Sequence, residues 1–458
     1  MTRNPTRVLA EAATGVSTEV LRPPVEARAR DLLLDYFGVL IGGSAESAGK
    51  QAGNYARLSG VDESSVCFLG CSTAPLAALA NGIAAHALEL DDVTNESSLH
   101  PGVVVWPSAM AAVERAHGTL GDLLAAGLAG YEVVMRVGEA FNAESLYARG
   151  FHPTGIAGAI GSAAAVANVI GLDADRTQHA FGLVGSMVSG SLAYVQNGSD
   201  GKRLNAGWAS KAGLVASDLA GAGLTGPVDV LSGTYGLLDA YSDKSMPEAL
   251  LDVDFEHPAM LDVAVKPYAC CRYIHPVIDA CYRLRSSEAF VHGEIDRVTI
   301  SILPGGGPII ADPAARKRRP QNRVDAQFSV YYGAALTLVY GLPGMDGFDV
   351  PYLDDPAIHS VADRVEIAND GELDARYPKR WGCRLHAVFS DGRQRSIVVD
   401  DPRGDAKRPL SSDELNAKFR SIVEPVDPRL AATVPRWVRE SDLRVPIREL
   451  IGVCTAAA

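Results

Sequence analysis

The feature that most constrains this chain is a run of Ala- and Gly-rich helical segments filling its first 260 residues, with no β-alternating stretch between them. Residues 24–41 place Leu32, Leu33, Tyr36, Phe37 and Leu40 on one face at helical spacing. Segments 73–90, 104–116, 120–140, 155–169 and 206–220 repeat that style, and Gly, Pro or Asp separates each from the next. The texture then changes. Residues 294–302 (EIDRVTISI) and 383–389 (CRLHAVF) alternate and are rich in β-branched side chains, and Asp391-Gly392 beyond them is a hairpin signal. Residues 323–340 and 411–423 read as helical. The expectation is a mainly α protein. An all-helical domain spans 1–264, a smaller α+β unit spans 265–402, and residues 403–458 turn helical again and pack back on the first domain.

Bulk composition narrows the function classes. Of 458 residues, 47% are hydrophobic and 21% charged, so a sizeable core is available and disorder is not expected. The formal charge of −13 speaks against nucleic acid or an anionic membrane as a partner. It leaves a small anion open, since a few cations dominate inside a dry cleft. Seven cysteines are an odd number and do not read as a disulfide framework. The opening MTRNPTRVLAEAATG lacks a signal-peptide layout. The most apolar stretch, 155–172, is mostly Ala and Gly, holds Asn168 and reads as a buried helix, not a membrane span. A cytoplasmic location is expected.

Four polar clusters interrupt the small-residue helices. The first runs from His86 through Glu89, Asp91, Asp92 and Thr94 to His100. Acids there are costly to bury unless paired, although a helix end with solvated acids has the same appearance. The second, Gly150-Phe-His152-Pro-Thr154-Gly155, opens the 155–169 helix, where Thr154 can cap and free N–H groups can meet an anion; a plain turn histidine is the alternative. The third joins Lys202 and Arg203 between Gly201 and Asn205, suited to a carboxylate or simply a surface basic pair. The fourth, Lys266 to Pro276, carries Cys270, Cys271, Arg272 and His275 beside the expected domain boundary, a favoured place for a cleft. Adjacent cysteines are not a CxxC pair and no second Cys/His pair lies at ligand spacing, so no metal is expected. No GxSxG elbow, phosphate loop or GxGxxG turn appears, which leaves serine-hydrolase, nucleotide and nicotinamide readings without support.

In this order the segments resemble the MmgE/PrpD family, which includes 2-methylcitrate dehydratases, cis-aconitate decarboxylases and an iminodisuccinate epimerase. The stretches that carry the likeness are ALANGIAAHALELDD (77–92), HPGVVVWPSAMA (100–111), GFHPTG (150–155), KRLNAGWASKAGLVASDLA (202–220), KPYACCRYIHP (266–276), AQFSVYY (326–332) and LSSDELNAKF (410–419). The resemblance implies a large helical domain built from both chain ends, a smaller inserted α+β lid, a homodimer, and a cofactor-free site in the cleft between the domains. That site would contain Asp91 or its neighbour, Thr94, His100, His152, Lys202, Lys266 and Tyr332, with Arg203, Cys271, Arg272 and His275 on the substrate. Glu89 stands where the decarboxylase and dehydratase branches carry Asp, and Cys271 where the decarboxylase branch carries His.

The three reactions share one problem, a negative charge developing next to a carboxylate. Lys202, Lys266 and Arg272 would stabilise it, worth on the order of 3–4 kcal/mol per well-placed group. His100 and His152 would take and give the proton, with Asp91 or Asp92 orienting one imidazole. The expected activity is a hydro-lyase acting on a small di- or tricarboxylate without metal or cofactor. Epimerase or racemase of an imino- or amino-dicarboxylate is the alternative, then decarboxylase, then an inactive binding scaffold.

Overall fold

The computed structural model describes residues 4–455 and holds two compact units. Unit 1 comprises residues to Tyr194, Ser199–Val263 and the chain from Ser411 onward; unit 2 comprises Val195–Gly198 and Ala264–Leu410.

The first part of unit 1 contains α1 (Pro5–Gly15), α2 (Pro23–Ser44), α3 (Ser47–Arg57), α4 (Ala74–Ala85), α5 (Gly102–Arg115), α6 (Leu120–Phe141), α7 (Ala143–Ala148), α8 (Pro153–Val169), α9 (Ala174–Gly185), α10 (Gly201–Gly221) and α11 (Leu237–Tyr241). Two-residue strands β1 (Ser64–Ser65) and β2 (Cys71–Ser72) pair antiparallel in a region whose sequence shows no strand alternation. Unit 2 contains α12 (His275–Arg285), β3 (Ile295–Ser301), α13 (Ala314–Arg318), α14 (Arg323–Gln327), α15 (Val330–Tyr340), α16 (Val350–Leu353), α17 (Pro356–Ala362), β4 (Val365–Ala368), α18 (Gly371–Asp374), β5 (Cys383–Phe389) and β6 (Gln394–Val399). The chain then rejoins unit 1 as α19 (Ser412–Val423), α20 (Pro428–Glu440) and α21 (Ile447–Thr455).

Small residues do in unit 1 what their pattern predicts. Helix α8 is buried from Pro153 through Ala167, so it is apolar all round and not on one face only. A β-carbon on Gly82 of α4 would stand 2.8 Å from the Gly207 Cα of α10, and one on Gly207 would stand 2.3 Å from the Leu79 carbonyl oxygen. The two helices thus cross backbone against backbone. Helix α5 continues through Pro107, and hydroxyls from two neighbours serve its carbonyls: Ser162 and Ser210 each donate to Val104 O at 2.8 Å.

In unit 2 the sheet order is β4-β3-β5-β6; β3 and β4 run parallel and the other pairs antiparallel. The Asp391-Gly392 turn joins β5 to β6, with Gly392 at φ 86°. The stretch read as one helix over 323–340 is two. It breaks at Phe328-Ser329 because the Ser329 hydroxyl accepts from Tyr332 N at 3.0 Å and caps α15. The helix expected over 73–90 stops at Ala85, and the following residues to Pro101 form an irregular loop. Among the described residues no helix is long and apolar enough to cross a membrane.

A methyl group at the α4–α10 crossing has backbone, not a flexible side chain, in its way. Gly207→Ala is therefore expected to destabilise unit 1 by about 1–3 kcal/mol, against the roughly 1 kcal/mol that Ala ordinarily gains over Gly in a helix. Urea unfolding of the variant checks this; an unchanged or raised midpoint would refute the close crossing.

Candidate active site

The loop that follows α4 begins with His86 as the helix C-cap and passes through Glu89, which takes the left-handed conformation (φ 57°). For a residue with a β-carbon that conformation costs roughly 1–2 kcal/mol, and such strain persists only where surroundings enforce it. Here the enforcing contact is visible. The Glu89 carboxylate receives the Lys202 ammonium at 2.5 and 2.6 Å, with both side chains buried. Lys202 sits in the first turn of α10, so the α4–α10 crossing sets the distance between this cation and the end of α4.

Two residues on, Asp91 gathers two imidazoles. One of its oxygens, Oδ2, lies 2.9 Å from His86 Nδ1 and 2.9 Å from His100 Nδ1. His100 Nδ1 also lies 2.8 Å from the Asp92 carbonyl oxygen. A ring nitrogen facing only oxygen acceptors carries the proton, so His86 Nδ1 donates to Asp91, His100 Nδ1 donates to the Asp92 carbonyl, and both Nε2 atoms present lone pairs. His86 Nε2 is buried and meets no hydrogen-bonding partner among the described residues. Its ring lies edge-on to His100 at 4.8 Å between centroids and stacks on His152 at 5.9 Å. His152 has the opposite polarity. Asn205 Nδ2 approaches its Nδ1 at 3.4 Å as donor, which leaves the His152 proton on Nε2. Three rings therefore meet, two offering a lone pair and one an N–H.

Electrostatics assign their charge. Burial lowers the His86 pKa, opposed by Asp91 and reinforced by Lys202. Burial drives His152 well below the usual imidazole value, and the charge of Lys202 adds to it. Both rings are neutral at pH 7. His100 keeps 10% of its side chain exposed where His86 is fully enclosed, so solvent or a ligand reaches His100 first. His86, Asp91 and His100 also bring three ligand-capable atoms within 4.8 Å of one another, the spacing of a metal site. A cation there would have to replace the two N–H···O bonds that account for the present geometry.

Asp92, the other candidate for orienting an imidazole, faces away from the rings. Its oxygens accept from Gly102 N at 2.8 Å and Tyr131 OH at 2.6 Å, and burial pushes its carboxyl up to about 7. Thr94 shapes the loop: its hydroxyl lies 2.6 Å from Ser97 Oγ, and its N–H donates to Leu99 O at 2.9 Å. Arg203 is buried, with Nη2 3.5 Å from Ala87 O. Thr154 Oγ1 accepts from His100 N at 3.1 Å, which ties the start of α8 to the loop.

The remaining sequence candidates lie in unit 2. Lys266, Cys271, Arg272 and His275 are buried along one segment. Arg272 already pairs with Asp405 at 2.6 Å, and His275 Nε2 lies 3.3 Å from Cys270 O. The Tyr332 hydroxyl donates to Gly347 O at 3.0 Å beside Phe348. Of the six residues given a catalytic role from sequence, the structure brings together Asp91, His100, His152 and Lys202. The residue that reading left without a role is His86. Its signal was the spacing from Asp91 across a helix end.

A histidine whose folded pKa lies below its unfolded value leaves the native state with fewer protons than the unfolded chain, so stability falls as pH drops below about 6.5. His152→Asn is expected to lessen that acid-side loss relative to the parent. Urea unfolding at pH 7.5 and 5.5 measures it; an identical drop in both proteins would contradict a neutral, buried His152.

The model of the MmgE/PrpD N-terminal domain matches residues 7–250 and that of the C-terminal domain matches 268–436. A cis-aconitate decarboxylase-like protein of Aspergillus oryzae is 28% identical over 82% of this chain and 81% of its own length. A cis-aconitate decarboxylase of Aspergillus terreus is 26% identical over 76% of this chain and 74% of its own. The mouse cis-aconitate decarboxylase is 25% identical over 92% of this chain and 87% of its own. With both domain models matched in order across most of its length, the chain belongs to the MmgE/PrpD family.

Proposed function

We propose that the chain is a metal-independent acid–base lyase acting on a small di- or tricarboxylate, with the His86–Asp91–His100 cluster as its proton-handling centre. The observation that carries this reading is one buried carboxylate oxygen that accepts from His86 Nδ1 and lies 2.9 Å from His100 Nδ1. An imidazole in that position can take a substrate proton through Nε2 while Asp91 stabilises the imidazolium formed. His100, the more accessible ring, is the group assigned to the α-proton. His152 supplies a neutral Nε2–H to an oxygen that gains charge, a role suited to an imidazole whose protonated form burial disfavours. Lys202 arrives with its own counter-ion, so an incoming carboxylate competes with Glu89 for the ammonium.

The first reading of the reaction is dehydration. The α-proton goes to imidazole, the C–O bond of a 2-hydroxy acid breaks, the hydroxyl leaves as water with a proton from the site, and a C=C bond forms. Decarboxylation is the second reading, and the names of the relatives, cis-aconitate decarboxylases, favour it. There a C–C bond breaks to release CO2 and the carbanion accepts a proton.

Proton NMR in D2O with citrate, 2-methylcitrate, cis-aconitate and iminodisuccinate in separate tubes distinguishes the outcomes. New vinylic signals from the hydroxy acids are expected for the hydro-lyase. Loss of CO2 from cis-aconitate would move the assignment to decarboxylase, and deuterium wash-in without net product to an epimerase. Silence in all four removes the carboxylate-lyase reading.

On whichever substrate turns over, His100→Asn and Asp91→Asn are each expected to lower kcat/KM by about 10²–10⁴. A loss below tenfold in both would exclude the cluster as the proton-handling centre. Activity is expected to survive EDTA; loss on chelation with recovery on adding zinc would overturn the metal-independent mechanism.

A further inference from the structure

We propose that Lys418, carried by the returning helix α19, is a positioning residue for the acid–base cluster and acts through the peptide between Leu90 and Asp91. This rests on the reading of that cluster given above. The Lys418 ammonium is buried and donates to two acceptors, Asp35 Oδ1 at 2.5 Å and the Leu90 carbonyl oxygen at 2.8 Å. Neutralising Asp35 on α2 would need only the first. The second fixes a peptide plane, and the nitrogen in that plane belongs to Asp91. Turning the plane turns the Asp91 backbone, and with it the carboxylate oxygen that both His86 Nδ1 and His100 Nδ1 share.

The loop needs such a restraint. Between the end of α4 and the start of α5 it has no helix to hold it, and Glu89, immediately before Leu90, sits at φ 57°. The far side is tied by Thr94 to Ser97 and Leu99. On the near side, beside Glu89 and its Lys202 partner, the bond from Lys418 holds the backbone itself. The effect of Lys418 reaches the rings through Asp91.

Two variants separate this role from that of a plain ion pair. Asp35→Asn alone removes the counter-charge and keeps the donor to Leu90. Asp35→Asn with Lys418→Met removes both without leaving a lone buried charge. The readout is the low-field imidazole Nδ1–H signals of His86 and His100 in ¹⁵N-histidine-labelled full-length protein, with far-UV circular dichroism as the check on folding. Both signals are expected at parental positions in Asp35→Asn and displaced or lost in the double variant. With a substrate in hand, kcat of the double variant is expected to fall at least tenfold while KM stays within threefold. A folded double variant with both signals unmoved overturns the proposal. So does their displacement in Asp35→Asn, which decides the matter alone if the double variant does not fold. If the parent turns over no carboxylate, the lyase reading fails while the NMR comparison still tests the restraint.

Discussion

One buried carboxylate oxygen standing 2.9 Å from two imidazole nitrogens organises the centre of unit 1. Asp91 is buried, and an isolated carboxylate there would be strongly disfavoured by desolvation. The His86 N–H at 2.9 Å offsets part of that cost and fixes the His86 tautomer, while the His100 N–H is held beside it by the Asp92 carbonyl oxygen. Neighbouring features follow from the same requirement. His86 must cap α4 where it does, His100 must be carried back by the loop, and the loop must tolerate Glu89 in a left-handed conformation to keep both in reach.

The buried charges around Asp91 come in matched sets. Glu89 faces Lys202, Asp35 faces Lys418, and Asp92 rests between a hydroxyl and a backbone amide with its carboxyl pushed up to about 7. Burial keeps His86 and His152 neutral. The result is a region dense in ionisable groups with little uncompensated charge. In such surroundings a proton moved to or from a ligand changes the local field more than it would in water. This favours groups that share protons over groups that merely carry charge.

The helical body was readable because Ala and Gly at helical spacing have one physical outlet, close packing of helices, and α4, α5, α6, α8 and α10 all lie within two residues of an expected boundary at one end or more. The misjudged boundaries share a cause: local hydrogen bonds that periodicity does not encode. Ser329 interrupts an apolar run by capping α15, and the end of α4 is set by contacts made in three dimensions. Strand β4, four residues long and half-buried, gives too short an alternation to register. Among site residues, Asp91, His100, His152 and Lys202 stood out as polar interruptions in apolar segments. The division of labour between Asp91 and Asp92 did not, since adjacent carboxylates are indistinguishable until the backbone turns one toward the rings and the other toward Tyr131. His86 was hidden for the same reason, its helix end being a matter of tertiary contact.

The chain leaves unit 1 at Val263 and rejoins it at Ser411, with unit 2 in between. Lys418 is separated from Leu90 by 328 residues. On a ribosome adding about 5–20 residues per second, the N-terminal helices emerge first and have time to collapse before the returning helix exists. Until it arrives, Asp35 has to wait in a partly formed core without its ammonium and the Leu90 carbonyl without its donor. The centre of this protein therefore cannot be finished by its own half of the chain. Helix α19 closes it, so on the reading proposed above the arrival of that helix is a condition for a correctly set Asp91.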